Sequence, residues 1–243
     1  MMKRISSLAL AVLLLALIAP FGLRGAAAAE NLADMPGDSR QLVRAVAMAD
    51  GKVLVTGGNN GTAHLASSLI YDPELNKWTA AEPMQKARFN HAAALLQDGR
   101  ILVAGGSNFN DGALSSAEIY DPASGTWSSA ATMTVPRYSA TASPLPDGRV
   151  LVAGGSNDSG DLNTTEIYDP VADTWTPGPN LPAPRKEHGA AVLGDGRVLL
   201  AGGTESGIMT NSAVIYDPAL NDFTAAANIP AARYVLAGAS LPD

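Results

Sequence analysis

The chain has no cysteine among its 243 residues. Disulfides, thiolate metal ligands and cysteine nucleophiles are therefore excluded. Histidine is scarce, at three copies, and charged residues make up only 16%. Acids outnumber bases, 23 to 16, for a formal net charge of −7. So acidic a chain lacks the basic footprint of a nucleic-acid binder or of a protein that coats an anionic membrane. Long apolar runs are also missing, except at residues 8–18. That run is bounded by Pro20 and Arg24 and is short for a membrane span. Lys3 and Arg4 precede it and Ala27, Ala28 and Ala29 follow it. This is the layout of a signal peptide over residues 1–29, cut before Glu30. An uncleaved N-terminal anchor is the alternative. Without a cysteine after the run, a lipoprotein anchor is excluded. Loss of the leader's three cations takes the net charge to −10. A secreted or periplasmic location is expected.

Glycine is abundant, at 24 residues, and the apolar fraction is 47%. That suits an ordered all-β chain with many tight turns. The glycines are not scattered. DGKVLVTGG begins at Asp50, DGRILVAGG at Asp98, DGRVLVAGG at Asp147 and DGRVLLAGG at Asp195. Leu241-Pro242-Asp243 opens a fifth copy, so the aspartates recur at spacings of 48, 49, 48 and 48 residues. A fixed period of this size signals one supersecondary unit per repeat, stacked on its neighbours.

In the second copy, residues 89–96 form an apolar stretch of strand length. Asp98-Gly99 then predicts a hairpin whose two central residues both need positive φ. Residues 101–104 are wholly apolar, which predicts a strand buried on both faces. Gly105-Gly106 permits a backbone approach that a Cβ would block. A polar loop at 107–114 precedes a third strand at 115–120, and Asp121-Pro122 breaks it before a fourth. Tyr71, Tyr120, Tyr168 and Tyr216 each precede Trp78, Trp127, Trp175 and Phe223 by seven residues. Rings placed at repeat positions predict packing of one sheet on the next, with a ligand-stacking ladder as the alternative.

Gly-Gly closing a strand, then Tyr, then Trp, at a period near 50, resembles the kelch repeat over residues 40–243. The resemblance implies an all-β kelch-type β-propeller with one four-stranded blade per repeat. Four blades are expected at about 40–80, 88–129, 137–177 and 185–225, with one extra strand at 233–243 and a linker at 30–39. Kelch rings usually have six or seven blades. The expectation is therefore an incomplete ring, a C-terminally truncated piece able to self-associate through an exposed end blade.

Alternating strand direction sorts the loops onto two rims. The loops after Gly-Gly and the connections between blades lie on rim one; the Asp-Gly and Asp-Pro turns lie on rim two. Rim-one loops vary in sequence, and loops on a rigid scaffold commonly carry binding. Their apolar tips are Phe109, Ile208 and Met209, and His64 is their one imidazole. Arg40, Arg88, Arg137, Arg185 and Arg233 open each first strand. Stacked blades place these arginines around the channel mouth, where a guanidinium fork matches carboxylates. The resemblance implies that such arginines grip acidic peptides; alternatively each bonds backbone carbonyls of the adjacent blade. The binding candidates are these five arginines, His64, Phe109 and Met209.

Other constellations point elsewhere. His91 and His188 recur without partners in the other copies and read as packed imidazoles. Asn157, Asp158 and Asp161 form an oxygen-rich loop whose spacing fits no known calcium loop. Asp72, Asp121, Asp169 and Asp217 each precede proline and read as turn formers. No catalytic residue, metal site or cofactor is assigned. A binding module for a protein or glycan, acidic in character, is the expected function. The enzyme alternative is a carbohydrate enzyme resembling a sialic-acid epimerase. A galactose-oxidase-like fold is compatible, but that enzyme's cofactor needs a cysteine.

Overall fold

The computed structural model describes residues 34–37 and 40–234, which hold strands and turns and no helix. The leader, most of the linker and residues 235–243 of the expected fifth strand lie outside the described residues. Apolar runs of four or five residues are cut by glycine or proline before a helical period can establish itself.

Four four-stranded antiparallel sheets result, each with its strands in chain order. Blade one holds Arg44–Ala47, Val53–Thr56, Ser68–Asp72 and Lys77–Ala81. Blade two holds Ala92–Leu95, Ile101–Ala104, Ala117–Asp121 and Thr126–Ala130. Blade three holds Thr141–Pro144, Val150–Ala153, Thr165–Asp169 and Thr174–Pro177. Blade four holds Gly189–Val192, Val198–Ala201, Ala213–Asp217 and Asp222–Ala226. The first strands touch one another in sequence around the inner side. This is the blade arrangement of a β-propeller. Ile101–Ala104 is buried at every residue, as a strand covered on both faces must be.

The repeated aromatics are core. Tyr71, Tyr120, Tyr168 and Tyr216 are each at most 2% exposed. Each lies directly across its pair of strands from Trp78, Trp127, Trp175 or Phe223. Tyr120 packs with Met48 and Leu54 of the blade before it, and Tyr216 with Leu145 and Leu151. Trp127 and Trp175 also donate Nε1–H across the joint, to the carbonyls of Glu82 and Ala131. The joints between blades one and two and between two and three thus combine apolar burial with a satisfied indole, and the third has Phe223 in its place.

Gly-Gly makes the other half of the joint. Gly106 donates its N–H to the carbonyl of Arg137 at 2.9 Å. A Cβ on Gly105 would stand 2.3 Å from that same oxygen, and Gly105 has φ +66°. Only glycine fits there.

Three local details depart from expectation. The Asp-Gly hairpin does not have two left-handed residues; only Gly99 has positive φ, at +87°. Gly99 N–H bonds Leu96 O and Leu96 N–H bonds Arg100 O, so the loop carries one more residue than a two-residue turn and closes as a bulge. The Asp98 side chain accepts the Arg100 N–H instead. The first strand is also shorter than the apolar stretch 89–96. Asn90 has φ +51°, which turns the chain before Ala92. Finally, the loop 107–114 is a small hairpin, Ser107–Asn108 against Gly112–Ala113.

Candidate interaction surface on rim one

The rim-one hairpins lean on one another. Blade two's hairpin is repeated in blade three, Ser156–Asn157 with Gly160–Asp161, and in blade four, Thr204–Glu205 with Ile208–Met209. The residue after each arginine bridges the same hairpin: Gln41 with Asn59, Phe89 with Ser107, Tyr138 with Ser156, Lys186 with Thr204. Each loop is thereby tied to the start of its own blade. Neighbouring loops are tied too. His64 of blade one stacks on Phe109 of blade two, centroids 3.7 Å apart and planes 15° apart. Asp158 of blade three lies against Gly112. Asp161 accepts the N–H of Gly207 and pairs with Lys186 at 2.9 Å. Asp158 and Asp161 therefore point to different neighbours, and the oxygen-rich loop does not converge on a cation.

Of the candidates, His64 and Phe109 meet in one cluster, joined by Phe89, whose ring lies 4.3 Å from that of His64. Burial lowers the His64 pKa and keeps the imidazole neutral near pH 7. Phe109 keeps 73% of its surface exposed. Its loop is held by Asn108, whose Oδ1 accepts the N–H groups of Asn110 and Asp111 and whose Nδ2 donates to Ala87 O. Met209 is exposed beside Ile208 on the separate hairpin of blade four.

The buried arginines follow the carbonyl-bonding alternative and not the ring of open forks, with one difference: the carbonyls belong to their own blade, not the adjacent one. Arg88, Arg137 and Arg185 are 0–2% exposed. Arg88 Nη1 donates to Gly105 O and Ser116 O, and Nη2 to Ser116 Oγ and Glu118 Oε1 at 2.7 Å. Arg137 repeats the pattern with Gly154 O, Thr164 and Glu166. Arg185 uses Gly202 O, Ser212 and Glu205. Burial lowers all three pKa values, opposed by the neighbouring carboxylates. The forks remain charged and are spent within their own repeat, while the arginine carbonyls receive the previous blade's Gly-Gly. Arg40 is half-buried and donates to Gly57 O and Ser67 O. Arg233 is exposed at the end of the described chain.

The inner mouth is built from residues that the repeat motif did not single out. Leu42, Asn90, Ser139 and Glu187 all have left-handed φ, from +51° to +59°. Asn90 N–H bonds Leu42 O, Ser139 N–H bonds Asn90 O, and Glu187 N–H bonds Ser139 O. Backbone bonds thus run from blade to blade. The four residue types share nothing, so only their fixed offset from the arginine could have revealed them. Beneath them His91 and His188 bond Thr56 and Thr141 of the preceding blades through Nε2, at 2.8 and 2.9 Å. Phe89, the third ring of the cluster, was legible as an aromatic directly after the repeat arginine.

A family model, the KLHDC2/KLHL20/DRC7 Kelch-repeats domain, matches residues 42–239. Kelch-like protein 33 of Homo sapiens is 41% identical over 68 residues, covering 28% of this chain and 12% of that protein. These matches give no support to the carbohydrate-enzyme alternative.

Proposed function

This chain belongs to the kelch-repeat family, and we propose that it is a protein-interaction scaffold whose binding face is rim one, anchored on Phe109. Kelch-repeat domains mediate protein interactions generally. The observation that carries the assignment of the face is the exposed Phe109 ring, fixed from behind by His64 and from below by Asn108. A large apolar side chain held rigid before binding loses little entropy on association, which is what an interface anchor requires. The asparagine acceptors of these loops are used locally: Oδ1 of Asn59, Asn60 and Asn108 each accepts a backbone N–H of its own loop. A glycan site needs such groups free, so a protein partner is favoured. The leader at 1–29 supports a secreted or periplasmic site of action, which an N-terminus at Glu30 in the mature protein would establish.

The test is selection of peptides from a displayed random library on the purified chain, followed by affinity measurement. Phe109→Ala is expected to weaken selected peptides by roughly tenfold or more. Equal affinity of wild type and Phe109→Ala for every selected sequence would move the binding face off rim one.

A further inference from the structure

We propose that the partner segment recognised on rim one is cationic, an arginine-bearing peptide whose guanidinium lies over Phe109 and meets the carboxylate of Asp158. The proposal rests on the rim-one reading above and names the chemistry of its partner. An acidic partner would need exposed cations, and most of the rim-one cations are spent. Arg88, Arg137 and Arg185 are buried with Glu118, Glu166 and Glu205. Lys86 is paired with Asp111, and Lys186 with Asp161.

The acids that remain are of the opposite kind. Asp158 is exposed and forms no ion pair or hydrogen bond among the described residues, and it sits where the blade-two hairpin touches blade three. A Cβ on Gly112 would lie 3.0 Å from its Oδ2. Gly112 pairs with Asn108, the residue before Phe109. The blade-two hairpin therefore carries an exposed aromatic ring near its tip and meets an unpaired carboxylate of blade three at Gly112. Glu187, whose N–H bonds Ser139 O at the channel mouth, likewise forms no ion pair among the described residues.

The two parts suit one ligand group. A guanidinium stacks on an aromatic face through the ring quadrupole, and its N–H fork takes a carboxylate. Phe109 has one face on His64 and its remaining surface open, so stacking demands no rearrangement. An ammonium would make the charge contact with less of the stacking, which predicts arginine over lysine.

Three labelled peptides of equal length and leucine content, one with arginine, one with glutamate and one with serine at the alternate positions, discriminate the chemistry. Binding is read by fluorescence anisotropy at about 0.15 M salt. The arginine peptide is expected to bind at least roughly tenfold tighter than the glutamate peptide. Asp158→Asn and Phe109→Ala should each weaken it by about five- to tenfold. Asp98→Asn, on rim two, should leave it unchanged and controls for unspecific attraction to an acidic protein. Both site variants are surface changes, and circular dichroism confirms that they fold. Equal affinity for the glutamate peptide, no response to Asp158→Asn, or no binding of any probe would overturn the proposal. If all three peptides bind equally and Phe109→Ala abolishes binding, the charge inference fails while the rim-one face stands. If Phe109→Ala is silent throughout, the face itself fails.

Discussion

In blades two and three the repeat arginine meets a glutamate buried in its own third strand; in blade four it meets one borrowed from the rim. Glu118 and Glu166 have side chains 3% exposed, whereas that of Glu205 is 29% exposed. The buried glutamates do more than pair. Glu118 accepts the N–H groups of Gln85 and Lys86, and Glu166 those of Thr134 and Val135. Blade four has Val214 at the matching place and Pro182 where Gln85 and Thr134 stand. Blade one repeats that combination, Leu69 with Pro36. Proline has no N–H to give. Among the described residues, a buried carboxylate therefore occurs only where the incoming connection can satisfy it. This is the rule that buried charge must be paired and fully hydrogen-bonded, enforced separately in each blade.

The strongest way to break the comparison is to remove the acid from each socket. Glu118→Ala leaves Arg88 buried and unpaired and strands two backbone N–H groups, so a loss of about 3–5 kcal/mol is expected in urea unfolding. Glu205→Ala should cost nearer 1 kcal/mol, because water reaches its site and Arg185 keeps its carbonyl partners. Equal losses would mean that the two sockets are energetically alike.

A transplant sharpens the same point. Val214→Glu alone should destabilise by roughly 1–3 kcal/mol, since one donor is missing and Glu205 already holds Arg185. Adding Pro182→Gln should recover part of that loss, with a coupling of about 1 kcal/mol in a double-mutant cycle. Strict additivity would show that the proline and the missing glutamate are unrelated.

The joints also differ. His91 closes the joint between blades one and two and His188 that between three and four, whereas blade three has Ala140 at the matching place. Burial, with the nearby cations Arg185 and Arg44, lowers the His188 pKa from 6.5 to about 3. His91 is shifted in the same direction by burial, Arg44 and Arg88. With a folded pKa below the unfolded one, the unfolded chain binds the extra proton between about pH 6.5 and pH 3. Stability should therefore fall as pH drops through that window, by up to about 1.4 kcal/mol per pH unit for each imidazole. Unfolding midpoints of His188→Asn against wild type at pH 7 and pH 5 check this; an unchanged slope would count against it. The smallest effect is expected on rim two. Asp98→Asn removes an exposed pair with Arg100 and should shift stability by no more than about 0.5 kcal/mol.

Much of the fold was legible because its causes are local. Apolar runs cut by Gly-Gly and Asp-Pro mark strand ends through backbone sterics, and the Tyr-to-Trp offset places two rings on facing strands. The arginines were legible as repeat residues, but the sequence left two directions open for them. An arginine at a strand start can turn outward to a channel or inward to a blade, and its spacing is the same either way. What decides is the pair of carbonyls at Gly105 and Ser116 and the carboxylate of Glu118, brought together from 17 to 30 residues away. Glu118 and Glu166 carried a faint signal, as acids inside apolar third strands. The stack of His64 on Phe109 carried none, since the two residues lie in different repeats.

By itself the sequence determined the repeat, the strand order, the turn positions and the aromatic core, because each depends on φ/ψ preference or periodicity within one repeat. Tertiary structure alone decided which charges are spent and which remain. Ion pairing depends on distances between side chains that only the packing of strands and blades creates. That packing hides Arg88, Arg137 and Arg185 and leaves Phe109 and Asp158 exposed.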